Sequence, residues 1–197
     1  MEKLVFATNN AHKIDEIRHL LDSVCDVCSL AELNYTEDIP ENQTTLEGNA
    51  LEKARFVYKK FGLSCFADDT GLEIDALDGE PGVFSARYAG KEKNSLKNTE
   101  KVLAKMHNID NRRARFRCVI ALIIDDSEYI FEGTVTGEIL RSPAGSFGFG
   151  YDSIFKADGC DVSFAQMTLA EKSKISHRSK AIEKLTAFLK EKYKAQY

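Results

Sequence analysis

The sequence predicts an α/β fold built on a mixed β-sheet, and three observations support this. A short apolar run at residues 3–7 precedes a segment, 11–21, whose apolar residues recur at helical spacing, so the chain opens with a strand, a loop and a helix. A second helical pattern, 44–62, leads into another apolar run. Two long alternating segments, 114–125 and 129–140, flank a short polar turn and predict a hairpin. The hairpin would add antiparallel strands, which makes the sheet mixed.

Length and composition limit the class of protein. With 197 residues and 43% hydrophobic content, the chain can bury a full core as a single domain, 1–197, or as two closely joined lobes. Its longest apolar runs are far below the ~20 residues that cross a bilayer, and the first residues turn polar too soon for a signal peptide, which predicts a cytoplasmic protein without a membrane partner. A net charge of −4 argues against general nucleic-acid binding, so any phosphate site must be local.

The five cysteines form an odd set with mostly long spacings. Only Cys25 and Cys28 have the spacing of a metal or redox pair, and they have no second pair or histidine cluster beside them. Packing as small hydrophobic side chains is the favoured interpretation, and disulfides are not expected in a reducing compartment.

The first loop, Thr8-Asn9-Asn10, lies between the opening strand and the first helix. Backbone amides at a helix N-terminus attract anions, and Lys13, one turn into the helix, would add a positive charge. The loop lacks the glycines and the Gly-Lys-Ser/Thr ending of a Walker A motif. Two interpretations remain open here: a phosphate site, or an ordinary capped helix.

The second helix follows a connecting region and an acidic, turn-like stretch that contains Glu41. Thr44 and Thr45 would open it and Gly62 would end it. Asn49 and Lys53 lie four residues apart on one face. Solvated helix surface is the favoured interpretation, and a single ligand reached by both side chains is the alternative. Glu41 by itself is typical of an exposed loop acid.

The pair Asp68-Asp69 is the most unusual feature of the chain. It follows the apolar run 65–67 and precedes Thr70 and Gly71, which predicts that the strand breaks into a turn at the two aspartates. Successive strand residues face opposite sides, so the two carboxylates are expected to have different tasks. A carboxylate pair at a strand end is a common way to hold Mg²⁺ for a phosphate substrate, and a turn in which both aspartates accept from backbone amides is the alternative.

Residues 72–76 alternate as in a strand that ends in a turn at 78–82, and 94–107 has the pattern of a helix. The stretch 143–152 then interleaves glycines with aromatic rings, so its backbone can approach a ligand closely while a ring stacks on a flat group such as a nucleobase. A glycine-rich turn with its rings in the core is the alternative.

The C-terminal region opens with Thr168-Leu169-Ala170-Glu171, a capping-box pattern, and continues into an amphipathic helix. Lys172, His177 and Arg178 lie close together in this region. A basic pair on a helix surface is the alternative for His177 and Arg178.

Together these segments resemble the inosine triphosphatase family, the pyrophosphatases that hydrolyse non-standard purine nucleoside triphosphates. Six blocks match in the family's order and cover nearly the whole chain: FATNNAHK (6–13), GNALEKA (48–54), ADDTGL (67–72), PGVFSARY (81–88), GFGYD (148–152), and EKS with SHR (171–178). Asn9 stands where many relatives have glycine, and residues 44–48 also depart from the common pattern.

The resemblance implies an elongated α/β fold, a long mixed sheet flanked by helices in two lobes with a central cleft, and a homodimer. It implies hydrolysis of ITP, dITP and XTP to the monophosphate and pyrophosphate with Mg²⁺ held by Glu41 and Asp69, and it assigns catalysis to Asp69, as general base, and Asp68. The implied substrate-binding residues are Thr8, Asn9, Asn10, Ala11, His12, Lys13, Lys53 and Thr70 for the phosphates, and Phe149, Gly150, Tyr151, Asp152, Lys172, His177 and Arg178 for the base.

Three alternatives to this function remain. Maf-type nucleotide pyrophosphatases share the architecture but do not predict the Ser-His-Arg block. A nucleotide-binding sensor without catalysis would not need a water-activating carboxylate beside a metal. A purely structural domain leaves the polar blocks unexplained.

Overall fold

The structure is a computed structural model that describes residues 3–21 and 24–194. Its strands and helices in chain order are β1 (Lys3–Phe6), α1 (Ala11–Leu21), β2 (Asp26–Ser29), α2 (Leu46–Phe61), β3 (Cys65–Ile74), α3 (Ser95–Lys105), β4 (Arg113–Ile124), β5 (Ser127–Ile139), β6 (Phe155–Ala157), α4 (Leu169–Lys172) and α5 (His177–Lys194).

The six strands form one mixed sheet, as the sequence predicts. Their order is β2-β1-β3-β4-β5-β6. β1 is parallel to both β2 and β3, whereas β5 and β6 are antiparallel. β4 and β5 are joined by Asp125 and Asp126, whose φ angles of 50° and 57° are those that a two-residue hairpin turn requires.

The chain divides into two compact units. Unit 1 contains residues 1–69, 118–133 and 178–197. Its core is formed by apolar side chains of β1, β2, the start of β3, the second half of β4, and one face each of α1 and α5. The predicted inward stripe of the last helix is confirmed, since Ile182, Leu185 and Leu189 are buried and Phe188 packs against them.

Unit 2 contains residues 70–117 and 134–177. Its core joins Leu72 and Ile74 of β3 to α3, to the first half of β4 and to the second half of β5. Three rings, Phe116, Phe155 and Phe164, lie at its centre within about 6 Å of one another, with centroid separations of 4.7, 5.2 and 6.2 Å.

The predicted turn at Asp68 and Asp69 is wrong, and so is the turn in which both aspartates would cap backbone amides. β3 runs without interruption from Cys65 to Ile74, with both aspartates inside it. Gly71 also serves another purpose than a turn, because a Cβ there would lie 2.7 Å from the carbonyl oxygen of Gly82. This glycine permits two segments of backbone to pack closely.

Helix ends were more predictable than short strands. Thr45 caps α2 through Gly48 N, Gly62 ends that helix with a φ of 65°, and the capping box from Thr168 to Glu171 is present. β2 and β6, which have four and three residues, were not predicted. The cysteines are free thiols, four of them buried, and Cys25 belongs to the unit 1 core, which agrees with packing as small hydrophobic side chains.

Within residues 3–21 and 24–194, no helix has both the length and the apolar character that a membrane span requires.

Candidate active site

Asp68 is the centre of a buried ionic network in unit 1. Its Oδ1 accepts from Lys13 Nζ at 2.8 Å, and its Oδ2 accepts from Nε and Nη2 of Arg178, both at 3.3 Å. The thiol of Cys118 on β4 lies 3.9 Å from the same Oδ2. Asp68 and Arg178 are each only 1% exposed. Two cations therefore neutralise one carboxylate deep in the protein, and the remaining guanidinium nitrogen, Nη1, donates to Glu16.

The charge of Asp68 is stabilised by these partners. Burial alone would favour the neutral acid, but Lys13 and Arg178 outweigh it and hold the pKa of Asp68 well below its usual range. The carboxylates of Glu16 and Asp68 likewise outweigh burial and raise the pKa of Arg178. Asp68 and Arg178 therefore remain charged at neutral pH.

This gives an expected pH dependence of stability. A carboxyl group whose pKa is lower in the folded than in the unfolded chain stabilises the fold above its unfolded pKa of about 4, and the contribution is lost as the pH falls below that value. Between pH 5 and pH 3, Asp68 should therefore account for a loss of about 1 kcal/mol in the free energy of unfolding. Urea denaturation at both pH values would test this: the fall should be smaller in Asp68→Asn than in the wild type, and an equal fall would contradict the assignment.

Asp69 lies on the opposite side of β3, and its partners come from α2 and the loop before it. Its Oδ2 accepts from Asn49 Nδ2 at 3.0 Å, and its Oδ1 is 3.4 Å from Lys53 Nζ. Lys53 also donates to Glu41 Oε1 at 2.7 Å, so one ammonium group joins two carboxylates. The expectation of solvated helix surface for Asn49 and Lys53 is wrong, because they are 1% and 4% exposed. Both side chains instead reach Asp69, and a shared ligand stays a prediction.

The protonation of this cluster differs from that of Asp68. Burial raises the pKa of Asp69, and the attraction of Lys53 only partly offsets it. Burial would lower the pKa of Lys53, but Asp69 and Glu41 outweigh it and the net shift is upward. A carboxyl group with a raised pKa beside a charged lysine is better suited to accept a proton than Asp68 is.

The donor set fits a divalent cation that takes only a few ligands from the protein. Glu41 and Asp69 present carboxylate oxygens to one shared cation, here the ammonium of Lys53. Mg²⁺ is bound in this way, through one or two carboxylates with water and substrate phosphate completing the shell. Among the residues that the structure describes, no group of three or more His, Cys, Asp or Glu side chains is arranged to hold a metal.

The loop from Thr8 to Lys13 is arranged by its own side chains. Thr8 Oγ1 accepts from Asn10 N at 3.2 Å, and Asn10 Oδ1 accepts from Lys13 N at 3.3 Å, so Asn10 caps α1. Asn9 donates to the carbonyl of Glu37 at 2.8 Å and is not one of the residues with positive φ, so its Cβ causes no backbone strain where relatives have glycine. Ala11 and His12 are exposed in the first turn of α1. Asn10 therefore caps α1, and the first turn of the helix is exposed, so the start of the helix remains accessible to an anion.

The loop around Phe149 in unit 2 is fixed by Asp152. Asp152 Oδ2 accepts from Phe149 N at 2.9 Å and from Lys172 Nζ at 2.8 Å, and Lys172 Nζ lies 5.1 Å from the centre of the Phe149 ring. A Cβ on Gly148 would approach Asp152 Oδ2 to 2.2 Å, so only glycine allows this contact. Phe149 is half-buried. This exposure lies between that of a ring open to a ligand and that of a ring packed in the core, the two interpretations of this stretch.

Tyr151 and His177 belong to the core of unit 2. Tyr151 is 4% exposed, its hydroxyl donates to the carbonyl of Ser85 at 2.8 Å, and burial raises its pKa. His177 is 2% exposed and stacks on Phe116 with centroids 4.7 Å apart. The alternative that His177 and Arg178 form a basic pair on a helix surface is wrong. Thr70 and Gly150 are half-buried.

The structure therefore groups the expected residues in three sets. In unit 1 it brings together Asp68, Lys13 and Arg178, and separately Asp69, Lys53 and Glu41. In unit 2 it brings together Phe149, Asp152 and Lys172. Arg178, expected beside the base, instead contacts Asp68 and Glu16.

Two residues of the unit 1 network were missed. Glu16 is 8% exposed and binds Arg178. It lies on α1 beside the apolar stripe of that helix, and this position was the signal in the sequence that the side chain could be buried. Cys118 is fully buried in β4, and nothing in its sequence context distinguishes it from a packing residue.

Comparison with known proteins shows which family the chain resembles. The sequence profile of the Ham1 family matches residues 4–188. The dITP/XTP pyrophosphatase of Porphyromonas gingivalis (strain ATCC BAA-308 / W83) is 52% identical over 190 residues, which cover 96% of this chain and 98% of that protein. The Ham1 protein of Staphylococcus aureus is 41% identical with a TM-score of 0.87, and a HAM1 protein from Coxiella burnetii is 39% identical with a TM-score of 0.89; each alignment covers 97% of this chain and all of the other. The profile match and these identities place the chain in the Ham1 family.

Proposed function

We propose that this protein hydrolyses the non-standard purine nucleotides dITP, XTP and ITP to the monophosphate and pyrophosphate, with Mg²⁺ as cofactor. One observation carries the proposal: two adjacent buried carboxylates, Asp68 and Asp69, lie on opposite sides of one strand and have opposite pKa shifts. The cations around Asp68 favour its charged form, whereas burial favours the protonated form of Asp69. The identity to a dITP/XTP pyrophosphatase supports the choice of substrate.

The phosphates would bind at the start of α1. Thr8 and Asn10 shape this loop, and the helix dipole favours an anion at its amides. Lys13 Nζ, which is already bound to Asp68, adds a charge close to these amides. Local cations of this kind allow a protein of net charge −4 to bind a polyanion.

Hydrolysis would take place beside Asp69. When bound by Glu41 and Asp69, Mg²⁺ would neutralise charge that develops on the phosphate oxygens. Asp69 would orient the attacking water and accept its proton, and Asn49 holds the carboxylate in place through Oδ2. Lys53 would exchange its carboxylate partners for phosphate oxygens.

The base would be bound by unit 2. Phe149 would stack on the purine, and Asp152 with Lys172 would hold that ring and the adjoining backbone in position. Lys172 Nζ and His177 would face the 6-keto group. A site that donates hydrogen bonds to a keto oxygen leaves buried donors unpaired when the 6-amino group of adenine arrives, which rejects ATP.

We also propose that residues 1–197 act as one domain, since β3, β4 and β5 each contribute residues to both units. The resemblance to inosine triphosphatases supports a homodimer, which light scattering after size-exclusion chromatography would test. The free cysteines agree with a cytoplasmic location, and the acidic balance agrees with the proposal that the protein has no nucleic-acid partner.

The test is product analysis of the purified protein with Mg²⁺ and equal concentrations of dITP, XTP, GTP and ATP. The proposal expects monophosphate and pyrophosphate from dITP and XTP alone, with little product when Mg²⁺ is chelated. Release of phosphate, or equal turnover of all four nucleotides, would contradict it. Binding of dITP without turnover would favour a nucleotide sensor.

The stacking role of Phe149 gives a separate prediction. Phe149→Ala should raise the KM for dITP about tenfold or more, because stacking of a base on an aromatic ring contributes roughly 1–3 kcal/mol. Lys53→Ala should lower turnover but change the preference among bases less. Steady-state kinetics of both variants would check this, with Phe147→Ala as a matched control in the same loop, since Phe147 is 60% exposed. The opposite ranking would show that the base is bound elsewhere.

A further inference from the structure

Asn98 is a buried polar residue of α3 that the proposed function does not use. It is 3% exposed, and its amide makes three hydrogen bonds to the backbone of one neighbouring segment. Its Oδ1 accepts from Ala89 N at 2.6 Å, and its Nδ2 donates to the carbonyls of Ala86 at 2.9 Å and Ser85 at 3.3 Å. Such a set satisfies the side chain and fixes the path of residues 85–89 against the helix.

The carbonyl of Ser85 is shared with the loop proposed to bind the base. It accepts from Asn98 Nδ2 and also from the hydroxyl of Tyr151 at 2.8 Å. The side chain of Ser85 is fixed as well, since its Oγ accepts from Leu72 N at 2.9 Å and donates to the carbonyl of Gly82 at 2.6 Å. Ser85 is thus a rigid junction that connects α3 to residue 151.

A second contact links α3 to the same loop. The hydroxyl of Thr99, which is 3% exposed, donates to the carbonyl of Gly150 at 3.4 Å. Two successive residues of one helix therefore hold two successive residues of the loop, one directly and one through Ser85. Phe149 directly precedes these two loop residues, so its backbone position depends on them.

We infer that Asn98 is a positioning residue for base selection, acting on Tyr151 and the neighbouring Phe149 through the carbonyl of Ser85. The inference rests on the proposed function, because it takes residues 149–152 to contact the purine. A binding residue must be held within about 0.5 Å of its productive position to discriminate between similar ligands, and this depends on the groups behind it.

The experiment compares three variants on dITP and dGTP. In Asn98→Ala, the ratio of kcat/KM for dITP to kcat/KM for dGTP should fall about tenfold. Asn94→Ala is the matched control, because Asn94 is exposed and caps the same helix through Lys97 N. It should lower the melting temperature and leave the ratio unchanged. Tyr151→Phe removes only the phenol hydroxyl and should also lower the ratio.

The double variant of Asn98→Ala and Tyr151→Phe tests whether the two residues act through one group. If they share the Ser85 carbonyl, the combined loss of the ratio should be smaller than the product of the single losses. A purely structural Asn98 would lower activity toward both nucleotides equally, like Asn94→Ala, and would overturn the inference. If Asn98→Ala does not fold, Tyr151→Phe and Thr99→Val carry the test, and an unchanged ratio in both would overturn it.

Calorimetry distinguishes failure of this inference from failure of the proposed function. Asn98→Ala should weaken binding of dIMP about tenfold and leave binding of pyrophosphate unchanged. A wild-type protein that binds dIMP but hydrolyses no dITP would refute the proposed activity while this comparison still tests Asn98. Equal binding of dIMP by the variant and the wild type would overturn the inference.

Discussion

Replacing Asp69 by asparagine is expected to lower kcat for dITP about 10³-fold while the protein remains folded. The change removes the proton acceptor and one of the two carboxylates proposed to hold Mg²⁺, and general base catalysis alone contributes roughly 10²–10⁴-fold. The fold should tolerate it, because burial raises the pKa of Asp69 and its charge is therefore not a source of stability. Lys53 would keep Glu41 as its partner.

The measurement is single-turnover hydrolysis of dITP beside circular dichroism of the same sample. Asp126→Asn is a suitable control, since Asp126 is exposed in the hairpin turn with a φ of 57° that asparagine also adopts. Residual turnover within tenfold of the wild type would remove Asp69 from the chemistry. An unfolded variant would show that the carboxylate is structural instead.

The neighbouring change, Asp68→Asn, should act mainly on stability and lower the free energy of unfolding by about 3–5 kcal/mol. Asp68 neutralises Lys13 and Arg178 in a fully buried setting, and removal of one partner from such a network leaves charge without compensation. Its low pKa shows that the charged form stabilises the fold, in contrast to Asp69. Equilibrium unfolding in urea at pH 7 measures the loss directly.

The control for this second change is an ion pair at the surface. Asp158 pairs with Arg113 through two short contacts, but both side chains are about half exposed, so Asp158→Asn should have a far smaller effect. If the two variants lost equal stability, burial would not be the reason for the effect at Asp68.

The sequence was sufficient for the features that depend on local patterns. Helix α2 with its cap at Thr45 and its end at Gly62, the hairpin of β4 and β5, and the capping box of α4 all follow from spacing and side-chain type. The sequence also predicted that the carboxylates of Asp68 and Asp69 point to opposite sides of the sheet, because adjacent strand residues alternate in direction.

Features that depend on distant residues were not predictable. The two aspartates, followed by Thr70 and Gly71, indicated a turn. They lie inside β3 instead, and the partners of Asp68, Lys13 and Arg178, are 55 and 110 residues away. A long separation in sequence also hid the role of Glu16, whose partner Arg178 is 162 residues away. The burial of Lys53 depended on Asp69 as well, so its helix position alone predicted solvent.

The contact between Asp68 and Arg178 has a consequence for synthesis on the ribosome. Unit 1 is assembled from three separate stretches, and α5 supplies both the guanidinium and the side chains of Ile182, Leu185 and Leu189 to its core. During translation, β1 to β3 are synthesised long before α5. Until α5 is present, Asp68 lacks its partner Arg178, so its carboxylate must remain hydrated. The core of unit 1 can therefore close only after α5 has been synthesised, so this unit cannot complete its fold from its N-terminal stretches alone.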